Sequence, residues 1–400
     1  MLSTTLENQA DTESPQSSAS QSRGKVGRAM KISCDREQLL HAFQTVASVA
    51  PTRSPKPILQ NVKLEVSDNG VMISATDLEV GIRHKVEGVD VQSPGVVLLS
   101  VARFGPILRE SSDETLHIES DNQGTTIRGE RSQFRLQAED PAEFPSVTGF
   151  DESNFVEVPA RLLRELIRRT AFATDSESSR YALGGVKLEF ADNELTAIGT
   201  DGRRLAKMTG PIGGSGDGVD GSQMTIVPTR AMQLIERAID PSDAEVQMAI
   251  KGNEILVHSA RATISARLLE GRFPDWRKVF PESGGGVNLD LAIGATHTAV
   301  RQAAIVTSEE SRGIDFTFGN GMLVLSSRAA DVGQARVELP IGYDGEELTV
   351  TLDPRFVMEF LKVLDADKTF NLEVKDAESA AVCSTDDGYG YVIMPLARDR

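Results

Sequence analysis

The sequence predicts an α+β protein of three tandem, structurally similar domains, each with two helices packed on antiparallel sheets. Three observations lead there. One helix entry recurs, as Leu99-Ser100-Val101-Ala102-Arg103, Val227-Pro228-Thr229-Arg230 and Leu352-Asp353-Pro354-Arg355. One hairpin pattern recurs with it. The spacing of the copies, roughly 125 residues, is too long for a solenoid repeat and fits whole domains.

Each unit opens with a strand-like stretch that leads into a helix-patterned segment, at 36–50, 161–174 and 296–307. A hairpin follows. Residues 63–74 alternate polar and apolar on both sides of Asp68-Asn69-Gly70, and 187–198 do so around Asp192-Asn193. Residues 315–325 repeat the pattern around Asn320-Gly321. These pairs favour the left-handed conformations that tight hairpin turns need. The second helix comes next, entered at the motif above, and the spacing places Arg103, Arg230 and Arg355 at one equivalent position. Further alternating runs at 115–136, 245–268 and 369–394 close each unit as antiparallel strands.

Chain length supports several cores, because single cores stop growing beyond about 250–300 residues and this chain has 400. Boundaries are expected where Pro and Gly collect, giving domains at 30–150, 151–280 and 281–400. Residues 1–29 are rich in Ser, Thr and Gln and poor in large apolar side chains, so a disordered tail is expected there. That stretch lacks the apolar core of a signal peptide, and no apolar run approaches the about 18 residues of a membrane helix. With two cysteines, Cys34 and Cys383, buried free thiols and a cytoplasmic location are expected.

The net charge is −17, which taken whole argues against nucleic acid. Its distribution reverses that. The six helical segments hold twelve Arg and Lys against five acidic residues, a net +7, which leaves −24 elsewhere. In 161–168 the arginines Arg161, Arg164 and Arg168 share a face opposite Leu162, Leu163, Leu166 and Ile167. Arg230 with Arg237, and Arg355 with Lys362, are seven apart and so lie within about 20° on the helical wheel. His297 and Arg301 repeat the idea more weakly. The first unit is the weakest, since Arg103 meets Glu110 and Arg36 stands alone. A solvated surface explains one such helix; a basic face repeated across three units of an acidic protein reopens nucleic acid as a partner.

No catalytic constellation is visible. The five histidines lack metal-ligand spacing, no nucleophile elbow or Walker signature occurs, and no cofactor or metal is expected. Asp77 and Asp201 follow Thr in equivalent hairpins, which fits turn residues. The Gly-rich run at 213–218 reads as a surface loop, with weak calcium binding as the alternative. Two rival classes remain open: a hydrolase using Asp77 or Asp201, and a scaffold that binds only proteins.

Several motifs together resemble one family. They are Pro57-Ile58-Leu59-Gln60-Asn61, Thr76-Asp77-Leu78-Glu79, Arg180-Tyr181, Thr200-Asp201-Gly202-Arg203-Arg204-Leu205-Ala206, Gly271-Arg272-Phe273-Pro274-Asp275 and Tyr391-Val392-Ile393-Met394-Pro395-Leu396. From residue 30 to about 398 the chain resembles the beta sliding clamps of bacterial DNA polymerase III. The resemblance implies the DNA clamp fold, a non-catalytic processivity factor, and a homodimeric ring whose helices line a hole around duplex DNA. It places Arg161, Arg164, Arg168, Arg230, Arg237, Arg301, Arg355 and Lys362 on the lining and Arg53 at a ring face.

The resemblance also implies a hydrophobic groove that captures short peptide tails of the replicative polymerase alpha subunit, the clamp loader, other polymerases and repair proteins. Leu183, Thr200, Gly202, Arg203, Arg204, Leu205, Pro274, Lys278, Val279, Met394, Pro395 and Leu396 fall on it, with Arg204 free to receive polar ends of the peptide. Arg203 stands where some members carry His, Lys278 replaces an Arg, and the chain ends in Ala397-Arg398-Asp399-Arg400. By the same resemblance, Phe134 of one protomer would meet Ile305 and Val306 of the other.

Overall fold

The computed structural model describes residues 30–175, 182–213, 224–280, 285–309 and 311–397. The expectations for the tail at 1–29, for Arg180 and Tyr181, and for the Gly-rich loop beyond Gly213 lie outside the described residues.

Each repeat carries two helices: α1 (Arg36–Ala47) and α2 (Val101–Glu110), α3 (Ala160–Thr170) and α4 (Thr229–Ala238), then, beyond the short α5 (Trp276–Val279), α6 (Ile293–Ala303) and α7 (Pro354–Lys362). Their apolar stripes are buried. On α3 these are Leu163, Leu166 and Ile167; on α4, Met232 and Ile235; on α7, Phe356, Val357 and Phe360. Asp35 and Asp353 cap α1 and α7 by accepting from the amides of Gln38 and Arg355.

Among the described residues four antiparallel sheets form, and two of them cross from one repeat to the next. In the first crossing, Val80–Val86 pairs with Ala262–Arg267, joining four strands of the first repeat to four of the second. In the second crossing, Arg204–Pro211 pairs with Tyr389–Ile393, again four strands against four. We call these the first and second joints. A five-stranded sheet of the first repeat ends on Gln133–Gln137, and a four-stranded sheet of the third ends on Gly333–Pro340; among the described residues both strands are unpaired on one side.

The hairpins turn as their sequences require. Asp192 and Asn193 take φ of 52° and 60°, and Asn320 and Gly321 take 53° and 72°, the left-handed pair of a two-residue hairpin turn. Strand register makes equivalences between repeats exact. Lys63 faces Leu98, Lys187 faces Ile226, and Asp315 faces Thr351. Counting onward, Ser100, Pro228 and Asp353 correspond, and Arg230 and Arg355 match Ala102. Arg103 is therefore one residue out of step with the other two arginines, a correction to the sequence expectation: Leu99, Val227 and Leu352 are equivalent, and the first copy reaches its arginine one residue later.

Alternation along the joint strands separates two apolar clusters. Side chains on the helix side merge into one core running through all three repeats. On the opposite face of the second joint, Ala182, Ile198, Leu205, Ile226, Phe273, Trp276 and Val392 form a separate cluster. Cys34 and Cys383 are buried free thiols on the helix-side core, and burial pushes Cys34 up to about 12.

Candidate functional site

The six long helices form one continuous row on one face of the sheets. The two helices of each repeat pack together. Arg230 of α4 donates to the carbonyl of Val49, just beyond α1, at 3.2 Å. Arg168 of α3 donates to the carbonyl of Val363, just beyond α7, at 3.0 Å. The order along the row is α2, α1, α4, α3, α7, α6.

Arg161, Arg168, Arg230, Arg237, Arg301, Arg355 and Lys362 are exposed on this row, and Arg164 is half-buried. Three of them are partly engaged. Arg230 bridges to Asp77 at 2.5 Å across the first joint, Arg168 lies 3.6 Å from Glu165, and Arg355 holds Asp353 at 2.6 Å. Burial would raise Asp353, but hydrogen bonds and charge from Arg355 outweigh it and hold the carboxyl below its ordinary value. His297 is pushed down by burial, then by Arg301 and Lys362, so α6 and α7 present their cations together. Arg161, Arg164 and Arg168 line a cleft of about 350 Å³ between α3 and the end of α4. Arg36, alone in the sequence, is structural: it donates to the carbonyls of Asp113 and Leu108 and ties α1 to the end of α2. Arg53 is exposed in the loop after α1.

Most of the expected groove residues gather at the second joint. Thr200 Oγ1 donates to the Arg204 carbonyl and accepts from the Gly202 amide. The Met394 amide donates to the Arg203 carbonyl at 2.9 Å, which carries the C-terminal segment past that turn, and the Leu396 amide donates to Thr351. Leu183 is buried, and the neighbouring Ala182 amide donates to the Arg272 carbonyl, drawing in the segment that holds Pro274. Leu205 is 1% exposed within the outer cluster, while Met394 and Val279 stand 42% and 46% exposed on its rim. Lys278 points to solvent and pairs with Asp275 at 3.1 Å. Sequence reasoning missed Trp276, Phe273, Ile198, Ile226 and Val392, which belong to this cluster; apolar alternation was an available signal for Ile198, Ile226 and Val392 on their strands, whereas Trp276 on α5 and Phe273 in the loop before it carried none.

Arg204 departs from expectation. Its donors are taken by Asp201 at 3.1 Å, the Phe172 carbonyl at 2.9 Å, Tyr391 and Glu359, and its guanidinium lies 4.4 Å from the Phe356 ring centroid. Burial opposes its charge, but Tyr391 and Glu359 outweigh that and favour the protonated form. Arg204 is thus a strut between α3, the turn at Asp201 and α7, and is not free to receive a peptide's polar end. Asp77 and Asp201 act as turn residues: each Oδ1 accepts two backbone amides, of Glu79 and Val80 and of Arg203 and Arg204.

Phe134, 39% exposed, sits on the free strand Gln133–Gln137, and Ile305, 76% exposed, follows α6 beside half-buried Val306. No helix among the described residues is long and apolar enough to cross a membrane.

The chain matches the DNA polymerase III beta subunit family in three consecutive stretches: its N-terminal domain over 30–148, its central domain over 157–275 and its C-terminal domain over 277–397. The beta sliding clamp of Chlamydia pneumoniae is 30% identical over 92% of this chain and 99% of that relative. The beta sliding clamp of Escherichia coli K12 is 28% identical over 92% of this chain and all of the relative. Among solved structures, the DNA polymerase III subunit beta of Pseudomonas aeruginosa superposes with a TM-score of 0.83 at 27% identity, over 92% of this chain and 100% of that one. A sliding clamp from the same organism, bound to griselimycin, superposes with a TM-score of 0.84 at 26% identity, over 93% and 100%.

Proposed function

Because this chain belongs to the DNA polymerase III beta subunit family, and is a DNA polymerase III processivity clamp, we propose that two copies close head to tail into a ring whose helix row encircles duplex DNA. One observation carries this reading: a single row of helices with exposed cations, ending at each side in an unpaired strand.

The two joints inside the chain supply the rule for closure. Ile264 pairs with Ile82 in the first, and Tyr391 with Ala206 in the second. By strand register, Phe134 is the equivalent of Ile264 and Tyr391, and Ala335 the equivalent of Ile82 and Ala206. The third joint therefore sets Phe134 opposite Ala335 of the partner protomer, with Gln133 opposite Arg336. Ile305 and Val306 flank that strand pair. Joining them covers both free edges and closes a two-fold assembly. The domains divide at 30–150, 151–280 and 281–400.

Within the hole, exposed arginines attract phosphates without reading base edges, so the ring slides; enclosure supplies the persistence that weak, salt-screened contacts lack. Arg53 adds a contact at the ring face. The reading is non-catalytic and cytoplasmic. Closed circular plasmid, loaded by a clamp loader, should retain the protein through gel filtration, and linearised plasmid should lose it. Equal loss from both would overturn encirclement. Arg164→Glu with Arg168→Glu should shorten retention on circles, and Phe134→Asp should give monomers in sedimentation.

The groove at the second joint takes short peptide tails of the polymerase alpha subunit, clamp loader, other polymerases and repair proteins, with apolar anchors against Leu183, Leu205, Val279 and Met394. The griselimycin complex of the similar clamp is consistent with a ligand groove in this fold. Met394→Glu and Val279→Glu, both on the rim, should each weaken a polymerase-tail peptide by about tenfold or more in fluorescence anisotropy. Unchanged affinity would remove the assignment.

A further inference from the structure

The outer wall at the first joint carries a cleft of about 560 Å³ that neither the helix row nor the groove uses. Arg83 and Lys85 line it from Val80–Val86, Lys251 and Arg261 from the second repeat, and Phe150 from the segment between the two repeats. On Val80–Val86 the core side chains are Val80, Ile82, His84 and Val86, so Arg83 and Lys85 project from the opposite face, away from α1. Duplex DNA on the helix side cannot reach them.

The cleft reverses the sign of its surroundings. Arg261 pairs with Glu87 at 3.3 Å and Lys251 with Glu152 at 2.6 Å, but Arg83 and Lys85 form no ion pair among the described residues. Asp151 is the one carboxylate among its described lining residues. Phe150 adds an aromatic wall, its ring stacked on His258 at 5.2 Å and 17° and close to Phe155 at 6.0 Å. His258 bonds Thr263 at 2.8 Å, and burial pushes its titration down, so the stack stays uncharged near neutrality.

We propose that this cleft docks a short acidic peptide segment of a partner protein, its carboxylates on Arg83 and Lys85 and one apolar or aromatic side chain against Phe150. Charge complementarity selects the sign of the occupant. The rim limits its length. Glu87, Asp151 and Glu152 stand beside the cations, and outside the six helices the chain carries a net −24, so a continuous polyanion such as single-stranded nucleic acid meets repulsion on leaving the cleft. This inference is independent of ring closure and of the groove at the second joint.

The probe is a fluorescein-labelled pentapeptide of four acidic residues around a central tryptophan, titrated against the full chain at low salt and read by anisotropy. Arg83→Glu with Lys85→Glu should weaken it by about tenfold or more, and Phe150→Ala by roughly threefold. Lys375→Glu, on the third repeat, should leave affinity unchanged, and a probe with Gln and Asn in place of the acids should bind about tenfold more weakly. Arg83→Gln provides a milder variant, expected between wild type and the double substitution. The proposal is overturned if the double variant binds as the parent does, or if a ten-nucleotide oligothymidylate displaces the probe at lower concentration than unlabelled peptide. It is also overturned if removing residues 1–29 raises affinity about tenfold, which would make the chain's own tail the occupant.

Discussion

The first and second joints share a backbone and differ in nearly every outward side chain. Ser74, Gly81, Arg83 and Ser265 at the first correspond to Ile198, Leu205, Lys207 and Val392 at the second; on the helix side, Val80 corresponds to Arg204 and His84 to Met208. At the first joint the connecting segment lies tight on the sheet, so that a Cβ on Gly81 would come within 2.7 Å of Val147 Cγ1. At the second, Leu205 and its neighbours hold an aromatic layer, with Lys207 5.3 Å from the Trp276 ring centroid and 5.7 Å from Phe280. Repetition fixes strand pairing, and the residues left outside that pairing specialise: one joint presents a charged cleft, the other an apolar cluster with Met394 and Val279 exposed beside it.

The sharpest way to break the comparison is through the two arginines that hold the equivalent turns. Arg204→Ala leaves Asp201 and Glu359 without their buried cation and should destabilise the second joint by about 3 kcal/mol or more. Arg230, 56% exposed, bridges the equivalent Asp77, and Arg230→Ala should cost about 1 kcal/mol or less. Native-state hydrogen exchange of the two joint strands measures both, and equal losses would show that the joints are held alike.

A smaller difference should appear with pH. Burial lowers the titration of His84, the Lys85 carbonyl opposes, His41 and Arg261 add to the lowering, and Glu87 works against it. The unfolded imidazole takes its proton near pH 6.5 while the folded one resists. The stabilisation is thus complete above that pH and is lost as pH falls from there toward the folded value. Protection at the first joint should fall between pH 7.5 and 5.5, and His84→Met, which copies the second joint, should flatten that decline. A decline of equal depth in the variant would assign it elsewhere.

The smallest effect separates the equivalent cations. Lys207→Met gives up contacts with two aromatic rings and should cost about 0.5–1 kcal/mol in urea unfolding, whereas Arg83→Met, with no ion pair to lose, should change stability by less than about 0.5 kcal/mol.

Hairpin turns at Asp68-Asn69-Gly70, Asp192-Asn193 and Asn320-Gly321, the helix stripes and the basic face of α3 were legible because each depends on residues close together in the chain. The outer apolar cluster at the second joint was harder to read. Ile198, Ile226 and Trp276 are ordinary apolar residues until three separated segments meet, and Arg204 resembles a surface cation until Asp201, Glu359 and Phe172 surround it. The one-residue offset of Arg103 likewise appears only in strand register.

By itself, the sequence determined three repeats, their helix pairs and hairpins, and a cationic surface on the helices, since periodicity and turn chemistry act over a few residues. Tertiary structure alone decided which strands cross between repeats, which edges stay unpaired and which arginines are struts. Those outcomes depend on contacts between residues up to two hundred positions apart, where the pairing of one strand with another sets the neighbours of every side chain it carries.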